Sequence, residues 1–247
     1  MISKISFLFL SFSFLMNVVA QNELSPDFNT VVKLLNINPD KVDRDLSIER
    51  PMRYLSEMMA YAILERKSSF EQDQDYLHTN YSCHVVLFNS SEKVITHTYT
   101  IDNVMSDAIR LSSVNFDFAP YLVKSDGTRA FGVRIRYSGS SRVYPYEEEK
   151  MTLFIPEKDK LTPILKDYTS YLYNGDWDTN CAGEFNEKSA FFVLQTEQVN
   201  GFKGIQVNLK NVKTVNSPVG DDCDSKETAS KNTEFLVFKD GFYQLKK

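Results

Sequence analysis

The sequence predicts an α+β fold in which N-terminal helices pack on antiparallel β-sheets built from hairpins, arranged as a sandwich or a partly open barrel. Three turn pairs, Asp126-Gly127, Asn200-Gly201 and Asp240-Gly241, each separate two apolar or alternating runs. Such pairs are strong short-range signals of a β-hairpin. Apolar residues also recur at helical spacing before residue 68 and again over residues 160–174. Successive hairpins with few helices between them indicate antiparallel pairing rather than βαβ units.

Residues 1–20 have the layout of a secretory signal peptide. Lys4 supplies the positive start, an apolar middle runs from Ile5 to Val19, and the small residue Ala20 ends the segment. The apolar run is about fifteen residues long, whereas a membrane-spanning helix needs about twenty. We therefore expect cleavage near Ala20, a secreted or periplasmic mature protein, and no stable membrane anchor after cleavage.

Residues 21–80 are predicted to form a helical N-terminal segment. In the first helix, Ser25 suits the N-cap, Pro26 suits the first helical position and Asp27 complements the helix dipole. A second helix is predicted over residues 51–67, because its apolar side chains keep helical spacing. A polar stretch separates this segment from the strands that follow.

Residues 81–175 are predicted to form an antiparallel β subdomain closed by one amphipathic helix. Two hairpins, over residues 81–101 and 116–137, are followed by a further strand. The closing helix is predicted over residues 160–174, because its apolar residues share one helical face and Gly175 can end it.

Residues 176–247 are predicted to form a C-terminal β-hairpin subdomain, with hairpins centred on residues 200–201 and 240–241. Two polar stretches, over residues 176–188 and 217–232, show no apolar periodicity. We therefore expect both stretches to be surface loops. The boundary between the two β subdomains is placed near the glycine that ends the predicted helix.

The charge and the cysteines limit the partners and the compartment. The net charge is −5 and no block of lysine or arginine is present, which argues against nucleic acid or an anionic membrane surface as partner. In an oxidising compartment, two of the three cysteines should pair. Cys83 lies in an apolar strand-like run, whereas Cys181 and Cys223 lie in polar, loop-like sequence. The sequence therefore predicts a Cys181–Cys223 disulfide and a buried Cys83 thiol.

A calcium loop is the one metal site that the sequence suggests. Asp176, Asp178, Asn180 and Glu187 occupy positions 1, 3, 5 and 12 of a twelve-residue calcium loop. The pattern departs from an EF-hand, because position 6 is Cys181 instead of glycine and the following sequence is strand-like. A looser calcium loop is a hypothesis, and calcium is the one cofactor that the sequence suggests.

Two histidines and a group of aromatic residues are weaker candidates. His84 and His97 would face each other if the hairpin turn were centred between Ser90 and Ser91. Two ligands are too few for a zinc site, so two semi-buried histidines are expected.

The aromatic group consists of Tyr168, Tyr171, Tyr173 and Trp177. Exposed aromatic rings near carboxylates can stack on a sugar or on a partner protein. Tyr168 belongs to the core face of the predicted helix, so structural packing is the favoured interpretation of the group.

The sequence favours a non-enzymatic binding or interaction module for an unknown protein or small-molecule ligand. It contains no nucleophile elbow, zinc-protease motif, P-loop or dinucleotide-binding turn. One alternative is a secreted hydrolase that uses two carboxylates, whose spacing is spatial rather than sequential. A second alternative is a calcium-stabilised extracellular module. Asn80 and Asn89 begin N-glycosylation motifs that matter only in a eukaryotic secretory pathway.

Overall fold

The computed structural model describes residues 24–52, 54–71 and 77–246, and the predicted signal peptide lies outside these residues. One α-helix, one 3-10 turn over Pro39–Lys41 and twelve strands are described. The helix α1 spans Pro26–Leu34, and the strands are β1 Val42–Pro51, β2 Met58–Glu71, β3 Leu77–Asn89, β4 Val94–Ser106, β5 Ile109–Leu122, β6 Arg129–Gly139, β7 Tyr146–Glu157, β8 Lys160–Trp177, β9 Gly183–Val199, β10 Phe202–Val219, β11 Asp222–Lys239 and β12 Phe242–Leu245.

Both sheets are antiparallel meanders in which each strand pairs with its neighbours in the chain. The small sheet has the order β1-β2-β3-β4, and the large sheet runs from β5 to β12 in chain order. The predicted antiparallel, hairpin-built architecture is therefore confirmed. The predicted turn pairs Asn200-Gly201 and Asp240-Gly241 connect β9 to β10 and β11 to β12. All four of these turn residues have positive φ, which suits tight hairpin turns.

The central strands of the small sheet, β2 and β3, are buried on both faces. On the outer face, Phe28, Val31 and Val32 of α1 pack against residues of β2 and β3 such as Tyr61 and Phe88. The inner face packs on β5, β6 and β7 of the large sheet, and we call the apolar cluster between the two sheets the first core. Residues 60–64 of β2 alternate between the two faces, and all five have 0% exposed surface.

The large sheet coils back on itself and encloses a second core. Residues of β7 and β8, including Met151 and Ile164, share this core with Ile205, Val207 and Tyr243 of β10 and β12. β12 contacts β8 across the enclosed space, although three strands separate them in the sheet order. Coiling of this kind follows from the right-handed twist of adjacent strands.

The ends of β8 to β11 project beyond both cores. We call residues 171–189 and 210–231, which form two neighbouring hairpins, the β arm. Residues 222–233 of β11 are all exposed, on both faces of the sheet. The stability of the arm therefore comes from hydrogen bonds between paired strands and from contacts at its tip more than from burial of apolar side chains.

The predicted set of N-terminal helices is not borne out, since α1 is the only α-helix among the described residues. α1 is present, but the Ser25 hydroxyl donates to Glu49 instead of capping the helix. The predicted helix over residues 51–67 is wrong, because most of this segment belongs to β2. A strand buried on both faces has a continuous apolar run, which periodicity cannot distinguish from a helix.

The predicted closing helix over residues 160–174 is also wrong. This segment is β8, whose register against β7 shifts at three places. Such bulges interrupt the alternation that marks a strand, and Leu161 lies in the first core whereas Ile164 and Leu165 lie in the second. The predicted division into subdomains near Gly175 stays a prediction, and β8 continues through this residue.

The two predicted loops are wrong as well. Residues 176–188 contain the end of β8, a short turn and the start of β9, while residues 217–232 contain the β10–β11 turn and most of β11. Their side chains are polar because both faces of the arm meet solvent. No helix among the described residues is long and apolar enough to cross a membrane.

Candidate functional site

A cleft lies where the loop between β1 and β2 crosses β5 and β6. Tyr54 of this loop donates a 2.8 Å hydrogen bond from its hydroxyl to the carbonyl of Phe118 in β5. The contact separates an apolar hollow of about 290 Å³ from a more polar one of about 550 Å³. Both hollows are lined by Tyr54 and Phe118, so they form two parts of one cleft.

A bulge in β5 shapes the wall of the cleft. The pairing of β5 with β6 is interrupted between Asp117 and Tyr121, and the Asp117 carboxylate accepts the Ala119 N–H at 3.0 Å. Bulges re-aim side chains at the edges of sheets. Here the ring of Phe118 packs against Phe131 with centroids 6.1 Å apart and helps line the apolar hollow.

The apolar hollow is lined mainly by aliphatic and aromatic side chains: Met52, Tyr54, Leu55, Phe118, Phe131 and Pro156. Tyr54 and Leu55 are 42% and 46% exposed, although they are large apolar residues. Arg129, the first residue of β6, is the charged residue among those that line this hollow.

The guanidinium of Arg129 contacts the ring of Tyr54 and has one buried nitrogen. Its central carbon lies 3.9 Å from the centroid of the Tyr54 ring, a cation–π contact. Its buried Nη1 atom has no hydrogen-bond acceptor among the described residues. None of the ion pairs formed by these residues includes Arg129. Among the described residues that line it, the apolar hollow thus carries one positive charge, and no described carboxylate pairs with it.

The polar hollow is lined by Arg50, which forms none of the ion pairs among the described residues, and by Asp117 and Arg134, which belong to an ion-pair network. Arg134 donates to Asp117 at 2.6 Å and to Glu149 at 2.7 Å. The Tyr121 hydroxyl donates to Asp117 at 2.9 Å, and the Ser170 hydroxyl donates to Glu149 at 2.8 Å. This network is mostly shielded from water, since both carboxylates are less than one-fifth exposed.

The network lowers the proton affinity of Asp117. Burial acts to raise the pKa of this carboxyl, but hydrogen bonds from the Ala119 N–H and from Arg134 outweigh it and bring the pKa below its ordinary value. A glycosidase needs one carboxyl with a raised pKa as general acid. The Asp117–Glu149 pair does not supply one at Asp117, and the hydrolase alternative stays a prediction.

The residues of the predicted calcium loop lie along the first hairpin of the arm. Asp176 faces Glu184 and Glu187 faces Tyr173, on paired strands. One Asp178 oxygen accepts the N–H groups of Asn180 and Cys181, both at 2.9 Å, and so closes the turn.

The hairpin does not gather these residues into one loop. Glu187 is four residues beyond Gly183, where β9 begins, which is about 13 Å along a strand. The described residues contain no group of three or more histidine, cysteine or acidic side chains that could hold a metal ion. The calcium hypothesis stays a prediction.

The cysteines are arranged as the sequence predicts. The Sγ atoms of Cys181 and Cys223 are 2.06 Å apart, which confirms the disulfide at the tip of the arm. Cys83 is a free thiol in the first core, and burial raises its pKa to about 12.

The predicted pairing of the two histidines is wrong. His84 faces Thr100 and His97 faces Leu87, because the β3–β4 turn is centred between Ser91 and Glu92 and the register shifts once more at Leu87. His84 instead has hydrogen-bond partners in Thr100 and Glu65, at 3.1 Å and 2.9 Å. The two imidazoles therefore have separate local environments.

The aromatic residues of β8 take part in packing. Tyr168 donates from its hydroxyl to Glu234 at 2.7 Å and lies edge-on to Phe192. The ring of Tyr173 is parallel to that of Phe185, with centroids 6.2 Å apart. These contacts agree with the packing interpretation favoured for this group.

Comparisons with models of known protein families, with curated proteins and with solved structures found no match. The chemistry of the cleft is therefore the basis for a function. Sequence reasoning did not identify the cleft, because Tyr54, Phe118 and Arg129 come from three separate segments. The only local signal was the turn at residues 126–127, which places Arg129 at the start of a strand.

Proposed function

We propose that the protein is a non-enzymatic binding protein whose cleft beside Tyr54 holds a small, largely apolar molecule. The observation that carries the proposal is the apolar hollow, with aliphatic and aromatic walls and a single charged side chain. Ligand sites commonly combine such walls with a few polar groups and measure about 300–1,000 Å³. At about 290 Å³, the hollow fits a ligand at the small end of this range.

The exposure of the loop supports the same conclusion. Tyr54 and Leu55 leave 42% and 46% of their surface in water. Covering apolar surface is favourable by about 25 cal/mol per Å², so a ligand lying against these side chains gains binding free energy. The Tyr54 hydroxyl anchors its loop to β5, which holds the wall in place before a ligand arrives.

The polar hollow supports binding rather than turnover. Arg134 engages Asp117 and Glu149 together, so the carboxylates nearest the cleft already have a partner. Groups fixed in this way orient a ligand through their hydrogen bonds. Such groups are suited to recognition.

A matched pair of leucines tests the proposal. Leu55→Ser removes an apolar wall of the hollow, whereas Leu34→Ser removes a similarly exposed leucine (51%) from α1. Binding of octan-1-ol is measured by NMR chemical-shift titration. We expect wild type and Leu34→Ser to bind equally, and Leu55→Ser to bind about fivefold more weakly, because part of one leucine contact is lost. Absence of octanol and octanoate binding by wild type, or equal binding by Leu55→Ser, would contradict the proposal.

We also propose that the protein acts in an oxidising compartment outside the cytoplasm. The disulfide between Cys181 and Cys223 supports this location, as does the signal-like composition of residues 1–20. N-terminal sequencing of the protein from its native source should find Gln21 as the first residue. A native protein that begins at Met1 and is recovered from the cytoplasm would contradict the proposal.

A further inference from the structure

We propose that the ligand of the cleft is a small amphipathic carboxylate, whose charged head pairs with Arg129 while its apolar part lies against Leu55 and Phe118. This inference rests on the proposed function and adds the chemical class of the ligand. It comes from the contrast between Arg129 and the other two arginines of β6.

The three arginines of β6 differ in their partners. Arg134 pairs with Asp117 and Glu149, and Arg136 pairs with Glu147. Arg129 lies on the same strand and forms none of the ion pairs found among the described residues. The fold thus supplies counter-charges to its neighbours on β6 and leaves this guanidinium facing the apolar hollow.

The surroundings of Arg129 increase the benefit of an anionic ligand. The ring of Tyr54 covers one side of the guanidinium at 3.9 Å, and Nη1 is out of contact with water and has no acceptor. An ion pair is stronger where apolar groups exclude water. Arg129 as a whole is only half-buried and lines the hollow, so a ligand carboxylate there can pair with the accessible part of this guanidinium.

A single carboxylate fits the site better than a multiply charged head group. The planar guanidinium presents parallel N–H donors that match the two oxygens of a carboxylate. The chain has a net charge of −5, which repels ligands that carry several negative charges. The adjoining side chains are Met52, Leu55, Phe118 and Phe131, so the rest of the ligand is an aliphatic or aromatic group.

The inference is tested with three probes of equal chain length: octanoate, octan-1-ol and octylamine. Isothermal titration calorimetry measures their affinities near neutral pH and at moderate salt. We expect octanoate to bind wild type at least about tenfold more tightly than octanol, since a hydrogen bond to a charged group adds about that factor. Octylamine should bind more weakly than octanol, because its charge has the same sign as Arg129.

Variants of Arg129 identify the residue responsible. Arg129→Ala should reduce octanoate affinity to that of octanol, while Arg129→Lys should retain part of the preference. Arg110→Ala is the control, because Arg110 is an exposed arginine at the start of β5. If Arg129→Ala fails to fold by circular dichroism, Arg129→Gln takes its place with the same expectation.

The outcomes separate this inference from the proposed function. Equal affinity of wild type for octanoate and octanol would overturn the inference that the ligand is a carboxylate. A preference for octanoate that survives both Arg129→Ala and Arg129→Gln would overturn it as well. Either result would leave the proposal of a ligand-binding cleft in place. No binding of any of the three probes would overturn the cleft proposal and the carboxylate together.

Discussion

Cys181 and Cys223 join the two hairpin turns at the tip of the β arm, with their Cα atoms 5.7 Å apart. Cys181 precedes β9 and Cys223 lies at the start of β11, on the far side of β10 in the sheet. The bond thus ties together the ends of strands whose side chains are largely exposed. The disulfide therefore stabilises a part of the sheet in which few apolar side chains are buried.

Replacing both cysteines by serine should destabilise the arm. For a sequence separation of 42 residues, the chain-entropy model predicts that the free energy of unfolding falls by about 4 kcal/mol, less any strain that the bond imposes on the folded state. Urea unfolding followed by Trp177 fluorescence measures the loss, because Trp177 is the only tryptophan and lies beside the tip. Hydrogen exchange should increase in the arm while β2 and β3 stay protected. An unchanged urea midpoint would show that the bond is not stabilising.

Gly175 is required by a close contact with a neighbouring ring. A Cβ atom at this position would overlap Cδ1 of Phe185 and lie 3.0 Å from the carbonyl oxygen of Glu184. Gly175→Ala should therefore lower the free energy of unfolding by about 1–3 kcal/mol, the usual cost of overpacking. Thermal unfolding measures the effect.

The control for this substitution is Gly204→Ala. A Cβ atom at Gly204 would meet no atom closer than 3.6 Å, so this variant should keep or slightly raise the melting temperature. In the background of Phe185→Ala, the cost of Gly175→Ala should shrink because the ring is gone. Equal effects of the two glycine substitutions would argue against the contact.

Asp117 should make stability depend on acid pH. Its folded pKa lies below the ordinary value of 3.8 because hydrogen bonds from Ala119 and Arg134 outweigh burial. A depressed carboxyl pKa contributes stability that is fully present above the unfolded pKa, and this stability is lost as the pH falls through the folded pKa.

Asp117→Asn should therefore be less stable than wild type by about 1–3 kcal/mol near neutral pH. The difference should shrink as the pH falls through the lowered folded pKa, where the wild-type carboxyl takes up its proton. Urea midpoints at several pH values measure this convergence. A difference that stays constant with pH would exclude titration of Asp117 as its source.

Cys83 should be unreactive in the native protein. Burial raises the pKa of its thiol to about 12 and leaves the side chain with 0% exposed surface. A thiol-reactive dye at about pH 8 needs the thiolate and access to it. We expect no labelling of the folded, oxidised protein and labelling of one cysteine after unfolding in urea. Rapid labelling under native conditions would show that the first core opens easily.

The sequence identified the structure best where local chemistry determines it. The Asn200-Gly201 and Asp240-Gly241 turns are correct because few other residues adopt the required positive φ as readily. The Cys181–Cys223 pair is correct because Cys83 lies in an apolar run typical of a buried strand, which leaves the two cysteines in polar sequence to pair. α1 is correct because Pro26 and Asp27 follow general preferences of helix starts.

The sequence was misleading where the three-dimensional environment determines the pattern. Residues 60–64 are buried on both sides by layers that no local rule anticipates. Bulges in β8 place Ile164 and Leu165 in the same core, and this mimics helical spacing. The cleft could not be predicted, because contact between Tyr54 and Arg129 depends on how two sheets meet.

The strand order has a consequence for how the chain acquires its structure. Because each strand of both sheets pairs with the strand made just before or after it, no pairing has to wait for a distant segment. Loop-closure entropy is small for such neighbours, and folding is faster when contacts are local in sequence. The protein can therefore assemble one hairpin at a time from its N-terminal end during synthesis, with the large sheet coiling shut only when β12 reaches β8.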